Sequence, residues 1–310
     1  MSSPSVVLVV GATGFIGRHA VDRLSESGFR VLGTSTDGEE TDFACDLEVP
    51  ESVDDALRLA RPHAILMTAG RSSVSEAWAD PAGAFRINTT GTFNLLEGVR
   101  RISPEAHLTL VSSASVYGIP ETGDELPFAE VNPSRPASPY GASKAAAEVL
   151  AGQYARQNHL RVAVARVFNQ IGPGQSEAQA PAEFARDIAL AEQRGERKLD
   201  LAIGNPEAGR DYTDVRDTAR ALAGIIKDGE TGNFNICSGA GVRMYDVAAG
   251  LASHTPVEVG VERTPERAHP ADVPLVIGSG KRLQKTIGWQ PEIPLWISLL
   301  DLLDDWRRRI

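Results

Sequence analysis

A glycine-rich turn near the N-terminus constrains the possible folds of this chain more than any other feature. The apolar run Val6–Val10 leads directly into Gly11-Ala-Thr-Gly14-Phe-Ile-Gly17, and a helical pattern follows over residues 17–26. In a strand–turn–helix unit of this kind, glycines allow a tight turn, a close approach to a pyrophosphate and close helix–strand packing. The helix N-terminus offers N–H groups to the phosphates. We therefore predict a dinucleotide site here rather than a plain turn.

Short apolar runs alternate with helical patterns along the chain. The predicted strands are residues 6–10, 30–34, 43–46, 64–68, 108–112, 162–167 and 234–237, and the predicted helices are 17–26, 53–59, 83–100, 143–157 and 182–193. Runs this short and β-branched suit strands that are buried on both faces. The alternation predicts an α/β fold with a parallel, doubly wound sheet.

Proline and glycine become denser over residues 172–209 and 255–288, which predicts a second, smaller lobe that is discontinuous in the sequence. Residues 214–227 and 234–237 between these stretches look like a return to the sheet. We therefore assign residues 1–168 plus 214–238 to a dinucleotide-binding domain. Residues 169–213 plus 239–310 then form a substrate-binding lobe.

Composition excludes several classes of protein. Hydrophobic residues make up 42% and charged residues 23%, as in ordinary globular chains, which excludes disordered, collagen-like and coiled-coil proteins. Asp plus Glu number 41 and Lys plus Arg 31, a net charge of −10, so we expect no nucleic acid and no membrane partner. Cys45 and Cys237 lie far apart, and we predict neither a disulfide framework nor a metal site. Without an apolar stretch of about 18 residues, we expect a soluble, cytoplasmic protein.

A tyrosine and a lysine four residues apart form a second motif. On a helix, Tyr140 and Lys144 would share a face. A lysine ammonium stabilises a phenolate, so we expect Lys144 to lower the pKa of Tyr140 and make it a usable acid/base. Ser113 follows the predicted strand at 108–112, and ligands of doubly wound sheets bind at such strand ends. We predict that Ser113 hydrogen-bonds the reacting oxygen and that Tyr140 supplies its proton.

The GxxGxxG spacing, the YxxxK pair and a serine 27 residues before Tyr140 together resemble the extended short-chain dehydrogenase/reductase family. Other segments are similar to its GDP-4-keto-6-deoxymannose reductase branch, next to the GDP-mannose 4,6-dehydratases. They are residues 88–97 (NTTGTFNLLE), 168–175 (FNQIGPGQ), 204–217 (GNPEAGRDYTDVRD), 235–239 (NICSG) and 288–295 (GWQPEIPL). The resemblance covers nearly the whole chain. It implies a Rossmann-type sheet and a nucleoside-diphosphate sugar held between the two lobes.

The resemblance also implies which residues bind each ligand. Those for the cofactor are Gly11, Thr13, Gly14, Phe15, Ile16, Gly17, Ser35, Thr36, Asp46, Leu47, Ala69, Gly70, Arg71, Asn88, Tyr140 and Lys144. Those for the substrate are Ser73, Ser113, Ser115, Asn169, Arg210, His269 and Asp272. Asn169 and Arg210 would meet the diphosphate, because a guanidinium presents a fixed fork of donors. Arg210 as a surface salt bridge is the alternative.

The segment that would select between NADH and NADPH is Gly33-Thr-Ser-Thr-Asp37, at the end of the second predicted strand. An acidic residue there indicates NAD and a basic one NADP. The segment has no Lys or Arg, and Asp37 comes a little late. The resemblance favours NADPH over NADH, because relatives with glycine at position 33 usually take NADPH.

Two residues depart from the family pattern. Ser115 stands where many relatives carry an acid that helps to eliminate water in 4,6-dehydratases, and a serine hydroxyl cannot do this near neutral pH. His269 stands where relatives usually carry arginine. We therefore predict a reductase that delivers hydride to C4 of a nucleoside-diphosphate 4-keto-6-deoxyhexose, and not a dehydratase.

The same residues leave two alternative functions open. Ala114-Ser115 is more similar to the 4-epimerases, so an epimerase with tightly bound NAD is the alternative enzyme. A non-catalytic, NAD(P)-sensing protein is the other, although such proteins usually lose the Tyr/Lys pair. The resemblance implies a homodimer that pairs through residues 83–100 and 143–157.

Overall fold

The computed structural model describes residues 5–121, 125–264 and 274–310. A seven-stranded parallel sheet forms its centre. The strands are β1 (Val6–Val10), β2 (Arg30–Ser35), β3 (Phe43–Ala44), β4 (Ala64–Met67), β5 (His107–Ser113), β6 (Arg161–Val167) and β10 (Gly232–Ile236), in the order β10-β6-β5-β4-β1-β2-β3. The direction of winding reverses at β1, which pairs with β2 on one side and β4 on the other. A ligand crevice is expected at this point in an open α/β sheet.

Helices cover both faces of this sheet. They are α1 (Phe15–Glu26), α2 (Pro50–Ala60), α5 (Gly91–Ile102), α6 (Pro139–Gln157), α8 (Val215–Asp228) and α10 (Lys281–Ile287). Leu8 and Val10 pack on the side of α2, α5 and α6, whereas Val7 and Val9 pack on the side of α1, α8 and α10. Alternate residues of one strand therefore serve two cores, which explains its continuous apolar sequence. The predicted doubly wound α/β fold is confirmed.

Local differences from the predicted elements have simple causes. Strand β3 has two residues instead of the predicted four. The predicted helix over 83–100 consists of α4 (Pro81–Phe85), a π-helical turn (Arg86–Thr90) and α5. Helix α6 begins at Pro139, four residues before the predicted start, because the side chain of Ser138 accepts a hydrogen bond from Gly141 N–H and caps it. This earlier start brings Tyr140 into the helix.

A second group of elements packs around its own core. Its strands are β7 (Asn169–Ile171), β8 (Lys198–Ile203), β9 (Gly209–Asp214), β11 (Gly241–Arg243), β12 (Glu258–Arg263) and β13 (Leu275–Val276), and its helices are α7 (Ala180–Gln193), α9 (Met244–Ala252) and α11 (Leu295–Arg309). Helix α3 (Val74–Ala79) instead packs on α4 and α6. Strand β9 pairs with β7, β11 and β13. Helices α7, α9 and α11 bury Phe184, Leu251 and Leu302 in one cluster.

Helix α10 lies within the segment that we assigned to the second lobe, but it packs on the central sheet. Its Leu283 and the following Trp289 are buried in the same core as Val7 and Phe234. The packing therefore moves α10 to the sheet side, and the other domain boundaries stay a prediction. Within the described ranges, no helix combines the length and the apolar character needed to cross a membrane.

A close contact between Gly17 and Gly11 fixes the first turn of α1 against the end of β1. A Cβ atom on Gly17 would lie 2.0 Å from the carbonyl oxygen of Gly11. We predict that Gly17→Ala lowers the free energy of unfolding by about 1–3 kcal/mol, because the helix must move away from the strand. Urea unfolding followed by circular dichroism measures this loss.

The matched control for this prediction is Gly152→Ala. Gly152 also lies in a helix, but its added Cβ would meet only the flexible end of Arg156, at 3.2 Å. It should be neutral or stabilising, because alanine favours a helix over glycine. Equal stability of the two variants would contradict the close contact.

Candidate active site

A cavity of about 540 Å³ opens at the carboxyl ends of the central strands. Its walls come from the residues that follow β1, β4, β5 and β6, and from the second group of elements. The described residues of the second group that reach the cavity include Gln175, Gln179, Arg210 and Tyr212. The cavity therefore lies at the reversal point of the sheet, between the two packed cores.

The structure brings about half of the predicted site residues together. Those that line the cavity are Gly14, Phe15, Ile16, Gly17, Gly70, Arg71, Ser113, Ser115, Tyr140, Lys144, Asn169 and Arg210. Nine other predicted site residues do not belong to the described lining of the cavity: Gly11, Thr13, Ser35, Thr36, Asp46, Leu47, Ala69, Ser73 and Asn88. His269 and Asp272 lie outside the described residues.

The glycine turn forms one end of the cavity. Gly11 has φ +90°, and a Cβ there would lie 2.7 Å from the backbone nitrogen of Ala69, which follows β4. Only glycine therefore fits at this position of the turn that connects β1 to α1. Gly14 is the N-cap of α1, and no side chain caps this helix end. A helix N-terminus without a side-chain cap, lined by glycine, is suited to a pyrophosphate. The residues present therefore fit a dinucleotide.

Asn88 does not line the cavity, but its side chain supports the wall formed by Gly70 and Arg71. Its Oδ1 accepts a hydrogen bond from Arg71 N–H at 3.0 Å, and its Nδ2 donates to Arg71 O and to Ser143 Oγ, both at 3.0 Å. The π-helical turn that contains Asn88 places its side chain between the loop after β4 and helix α6. The amide thus fixes Gly70 and Arg71 against the cavity.

Tyr140 and Ser113 meet at the centre of the cavity. The side chain of Ser113 faces the hydroxyl of Tyr140 and acts to lower the pKa of this hydroxyl. The Ser113 oxygen also accepts a hydrogen bond from Ser115 N–H at 3.1 Å, which orients it. Both residues are more than nine-tenths buried, at 8% and 9% exposure, yet both line the cavity. The two residues that the sequence analysis assigned to the reacting oxygen therefore line one cavity.

The acidity of Tyr140 differs from the expectation. Burial raises the pKa of Tyr140, and the side chain of Ser113 offsets only part of this effect. We expected Lys144 to lower the pKa, but its ammonium donates to the carbonyl oxygen of Val111 at 3.0 Å instead. Tyr140 therefore holds its proton at neutral pH, which suits a group that donates a proton.

Lys144 is itself buried, with 7% exposure. Burial lowers its pKa to about 8, and the carboxylate of Glu148 opposes this effect. Tyr140, Lys144 and Glu148 lie at successive four-residue steps on α6, so they share one face. The lysine consequently remains mostly protonated at pH 7 inside an apolar wall.

The ion pair behind this lysine was not predicted from the sequence. Arg166 on β6 bonds both carboxylate oxygens of Glu148, the shorter contact being 2.7 Å from its Nη2, and the two side chains are only 6% and 7% exposed. Ser112 Oγ donates to the same carboxylate at 2.5 Å, and Arg166 donates to Tyr117 Oη at 3.0 Å. The available signal was the position of Glu148, four residues after Lys144. The pair ties α6 to β5 and β6.

The other end of the cavity is polar. Asn169 on β7 and Arg210 on β9 lie there with Gln170 and Gln175, two residues that were not predicted to bind a ligand. Gln175 is 3% exposed and donates through its side-chain amide to Gln170 O at 2.9 Å. These amides and the guanidinium can bind the oxygens and hydroxyls of a sugar phosphate.

The described lining of the cavity contains few kinds of ionisable side chain. Its ionisable groups near the glycine turn and the Ser113 wall are one ammonium, the phenol of Tyr140 and the guanidinium of Arg71, and none of its described residues is Asp, Glu, His or Cys. Ser115 therefore has no carboxylate beside it in this part of the wall. The groups present can transfer one proton and bind anions.

Comparisons with known proteins agree with this geometry. The family model for GDP-mannose 4,6 dehydratase matches residues 8–296. GDP-6-deoxy-D-mannose reductase of Pseudomonas aeruginosa is 35% identical over 308 residues, which cover 98% of each chain. The family resemblance inferred from the motifs is confirmed.

Solved structures extend the agreement to the fold. RMD from Pseudomonas aeruginosa complexed with NADPH has a TM-score of 0.88 and 32% identity, covering 99% of this chain and 100% of its own. UDP-glucose 4-epimerase of Thermus thermophilus in complex with NAD has a TM-score of 0.87 and 28% identity, covering 98% and 100%. The chain belongs to the GDP-mannose 4,6-dehydratase family, within the extended short-chain dehydrogenases/reductases.

Proposed function

We propose that this protein is an NAD(P)H-dependent reductase of the C4 ketone of a nucleoside-diphosphate 4-keto-6-deoxyhexose, such as GDP-4-keto-6-deoxymannose. The observation that carries the proposal is the cavity wall, where Tyr140 is paired with Ser113 and none of the described residues carries a carboxylate. Reduction of a ketone needs one hydride and one proton. The wall of the cavity meets the need for a proton, because Tyr140 is the one proton donor beside Ser113 among the described lining residues.

The glycine turn and the wall beside it hold the dinucleotide. Gly14 to Gly17 would hold the pyrophosphate at the N-terminus of α1, and Gly70 and Lys144, which line the same cavity, would hold the nicotinamide ribose. The bound nicotinamide supplies the hydride. Lys144 contributes a positive charge to the wall of the cavity.

Tyr140 donates the proton to the developing alkoxide. An alkoxide is a much stronger base than a phenolate, so even a tyrosine whose pKa is raised can transfer its proton as negative charge develops. Ser113 orients the substrate oxygen through a second hydrogen bond. The Lys144 ammonium, four residues further along the same face of α6, keeps a positive charge in this wall of the cavity.

The sugar nucleotide occupies the end of the cavity formed by the second core. Arg210 and Asn169 bind the diphosphate, and the amides of Gln170 and Gln175 bind sugar hydroxyls. The name of the Pseudomonas aeruginosa relative, GDP-6-deoxy-D-mannose reductase, supports a sugar of this class.

A 4,6-dehydratase and a non-catalytic protein fit the wall less well. Elimination of water across C5 and C6 requires an acid/base pair in addition to the tyrosine, and the family resemblance places Ser115, a lining residue, where such an acid would act. The intact contact between Tyr140 and Ser113, with Lys144 below, argues against a protein that only senses NAD(P).

A 4-epimerase is the second candidate, and the similarity to UDP-glucose 4-epimerase of Thermus thermophilus in complex with NAD favours it. An epimerase would use the same tyrosine, serine and lysine. It would retain NAD through purification and turn over without added cofactor. Protein that is isolated without NAD, and is inactive until a reduced cofactor is added, would exclude this candidate.

Tyr140→Phe removes only the hydroxyl that donates the proton. We predict that kcat/KM for reduction of the 4-keto sugar falls by about 100-fold or more, because a positioned acid contributes about 10²–10⁴-fold. Stopped-flow absorbance of the reduced cofactor measures the rate.

Tyr154→Phe is the matched control on the same helix. Its hydroxyl bonds the carboxylate of Glu97 at 2.5 Å, and Tyr154 is not part of the described lining. It should keep near-wild-type turnover. If Tyr140→Phe also kept it, the proton-donor role would be wrong.

The pH dependence of the reaction reports on Lys144. Because the pKa of Lys144 is lowered to about 8, the ammonium is present below this pH and lost above it. We predict that kcat/KM is level below pH 8 and falls as pH rises through it. In Glu148→Gln this fall should begin at lower pH, because the carboxylate that raises the pKa of Lys144 is gone.

Asp55→Asn is the control for the pH profile. Asp55 is an exposed acid on α2 that pairs with Arg58, so its loss should leave the profile unchanged. An alkaline fall that is the same in wild type and Glu148→Gln would contradict the role of Glu148.

The proposed enzyme is a homodimer that pairs through α5 and α6. These two helices expose apolar side chains, with Phe93 at 42% and Val149 at 70%. Light scattering should give twice the 33.1 kDa of one chain. Val149→Arg should give one chain, whereas Val131→Arg, on a loop residue that is 91% exposed, should not change the mass. A monomeric wild type would refute the dimer.

A further inference from the structure

The end of β2 lies beside the glycine turn, where a βαβ unit contacts the adenosine ribose. The N–H groups of Gly11 and Ala12 both donate to the carbonyl oxygen of Thr34, at 3.1 and 2.9 Å. A Cβ on Gly33 would lie 2.8 Å from the Cβ of Ala12. Ser35, the last residue of β2, therefore stands at the position from which a side chain reaches the 2′ oxygen of that ribose.

The hydroxyl of Ser35 is already engaged by its own loop. It lies 3.0 Å from Asp37 Oδ1 and 3.1 Å from the carbonyl oxygen of Glu39, and both of these are acceptors. It also accepts a hydrogen bond from Gly38 N–H at 3.0 Å. A phosphate needs donors, and the one proton of this hydroxyl points to other acceptors.

Two carboxylates flank the end of β2. Asp37 Oδ1 also accepts a hydrogen bond from Glu39 N–H at 3.0 Å, which fixes its carboxylate beside Ser35. Asp42 Oδ2 accepts a hydrogen bond from Gly33 N–H at 2.7 Å. The hydrogen bond from Glu39 N–H, followed by that from Ser35, lowers the pKa of Asp37, so this carboxylate is ionised at neutral pH.

The local sequence supplies no compensating cation. Residues 31–57 contain no Lys, Arg or His, whereas nine of them are Asp or Glu. Arg86, which reaches this region from the π-helical turn, is paired with Glu48. The negative charge around the ribose position is therefore not offset by this stretch of the chain.

From this geometry we infer that Asp37 and Asp42 make the site selective for NADH over NADPH, because a 2′-phosphate would face two carboxylates and an engaged serine. The inference rests on the proposed function in that a nicotinamide dinucleotide binds here. It differs from the preference for NADPH that the sequence resemblance favours. The bonding of Ser35 to Asp37, which only the structure reveals, carries the difference.

Binding measurements test the inference without catalysis. Isothermal titration calorimetry of the purified chain with NADH and, separately, NADPH gives both dissociation constants at one salt concentration. We expect NADH to bind at least about tenfold more tightly, because the 2′-phosphate of NADPH would be repelled by the carboxylates at the end of β2. Asp37→Asn keeps the acceptor oxygen but removes the charge, and it should tighten NADPH binding about tenfold while leaving NADH unchanged.

Glu39→Gln is the matched control. It removes the same charge from the same loop, but only the backbone of Glu39 contacts Ser35 and Asp37 in the described structure. It should leave the ratio of the two constants near that of the wild type. Tighter binding of NADPH by the wild type, or an unchanged ratio in Asp37→Asn, would overturn the inference. Binding of neither dinucleotide would overturn the proposed function itself.

Discussion

The burial of one ammonium group determines how the candidate site is built. Lys144 lies in the apolar wall between α6 and β5, where its charge is supported by the carbonyl oxygen of Val111 and by the field of Glu148. Glu148 is in turn neutralised by Arg166 and bonded by Ser112. Removing one of the charged members would leave a buried charge without a partner, which is costly in a low-dielectric interior. This chain of contacts fixes α6 against the sheet and so sets the position of Tyr140 at the cavity.

The two ends of the cavity differ in the groups that line them. One end is made of backbone, where glycines let the N-terminus of α1 face a pyrophosphate. The other end is made of side chains from the second core, with Arg210 and two amides. Between them stands the phenol of Tyr140, whose pKa is raised by burial. A wall with one proton donor beside the serine, and no carboxylate among its described residues, favours addition of hydride and a proton over elimination of water.

Much of this architecture could be predicted from the sequence, because it depends on local patterns. The apolar runs of β1 and β4 to β6 and the glycine spacing predict a doubly wound sheet, and the order of Ser113, Tyr140 and Lys144 indicates the family and so predicts that they belong to one site. The remaining features depend on contacts between distant residues. The ion pair of Arg166 with Glu148, the contact of Lys144 with Val111 and the packing of α10 on the sheet follow from tertiary structure alone. The raised pKa of Tyr140 likewise follows from burial, which a motif does not encode.

The stoichiometry of cofactor oxidation distinguishes a reductase from an epimerase. Purified protein would be incubated with a limiting amount of GDP-4-keto-6-deoxymannose and an excess of NADH or NADPH, with the dTDP sugar in a parallel series. We predict that one reduced cofactor is oxidised for each 4-keto sugar consumed, with at least one of these sugars. Conversion of a nucleoside-diphosphate sugar with no net oxidation of cofactor would contradict it and identify an epimerase instead.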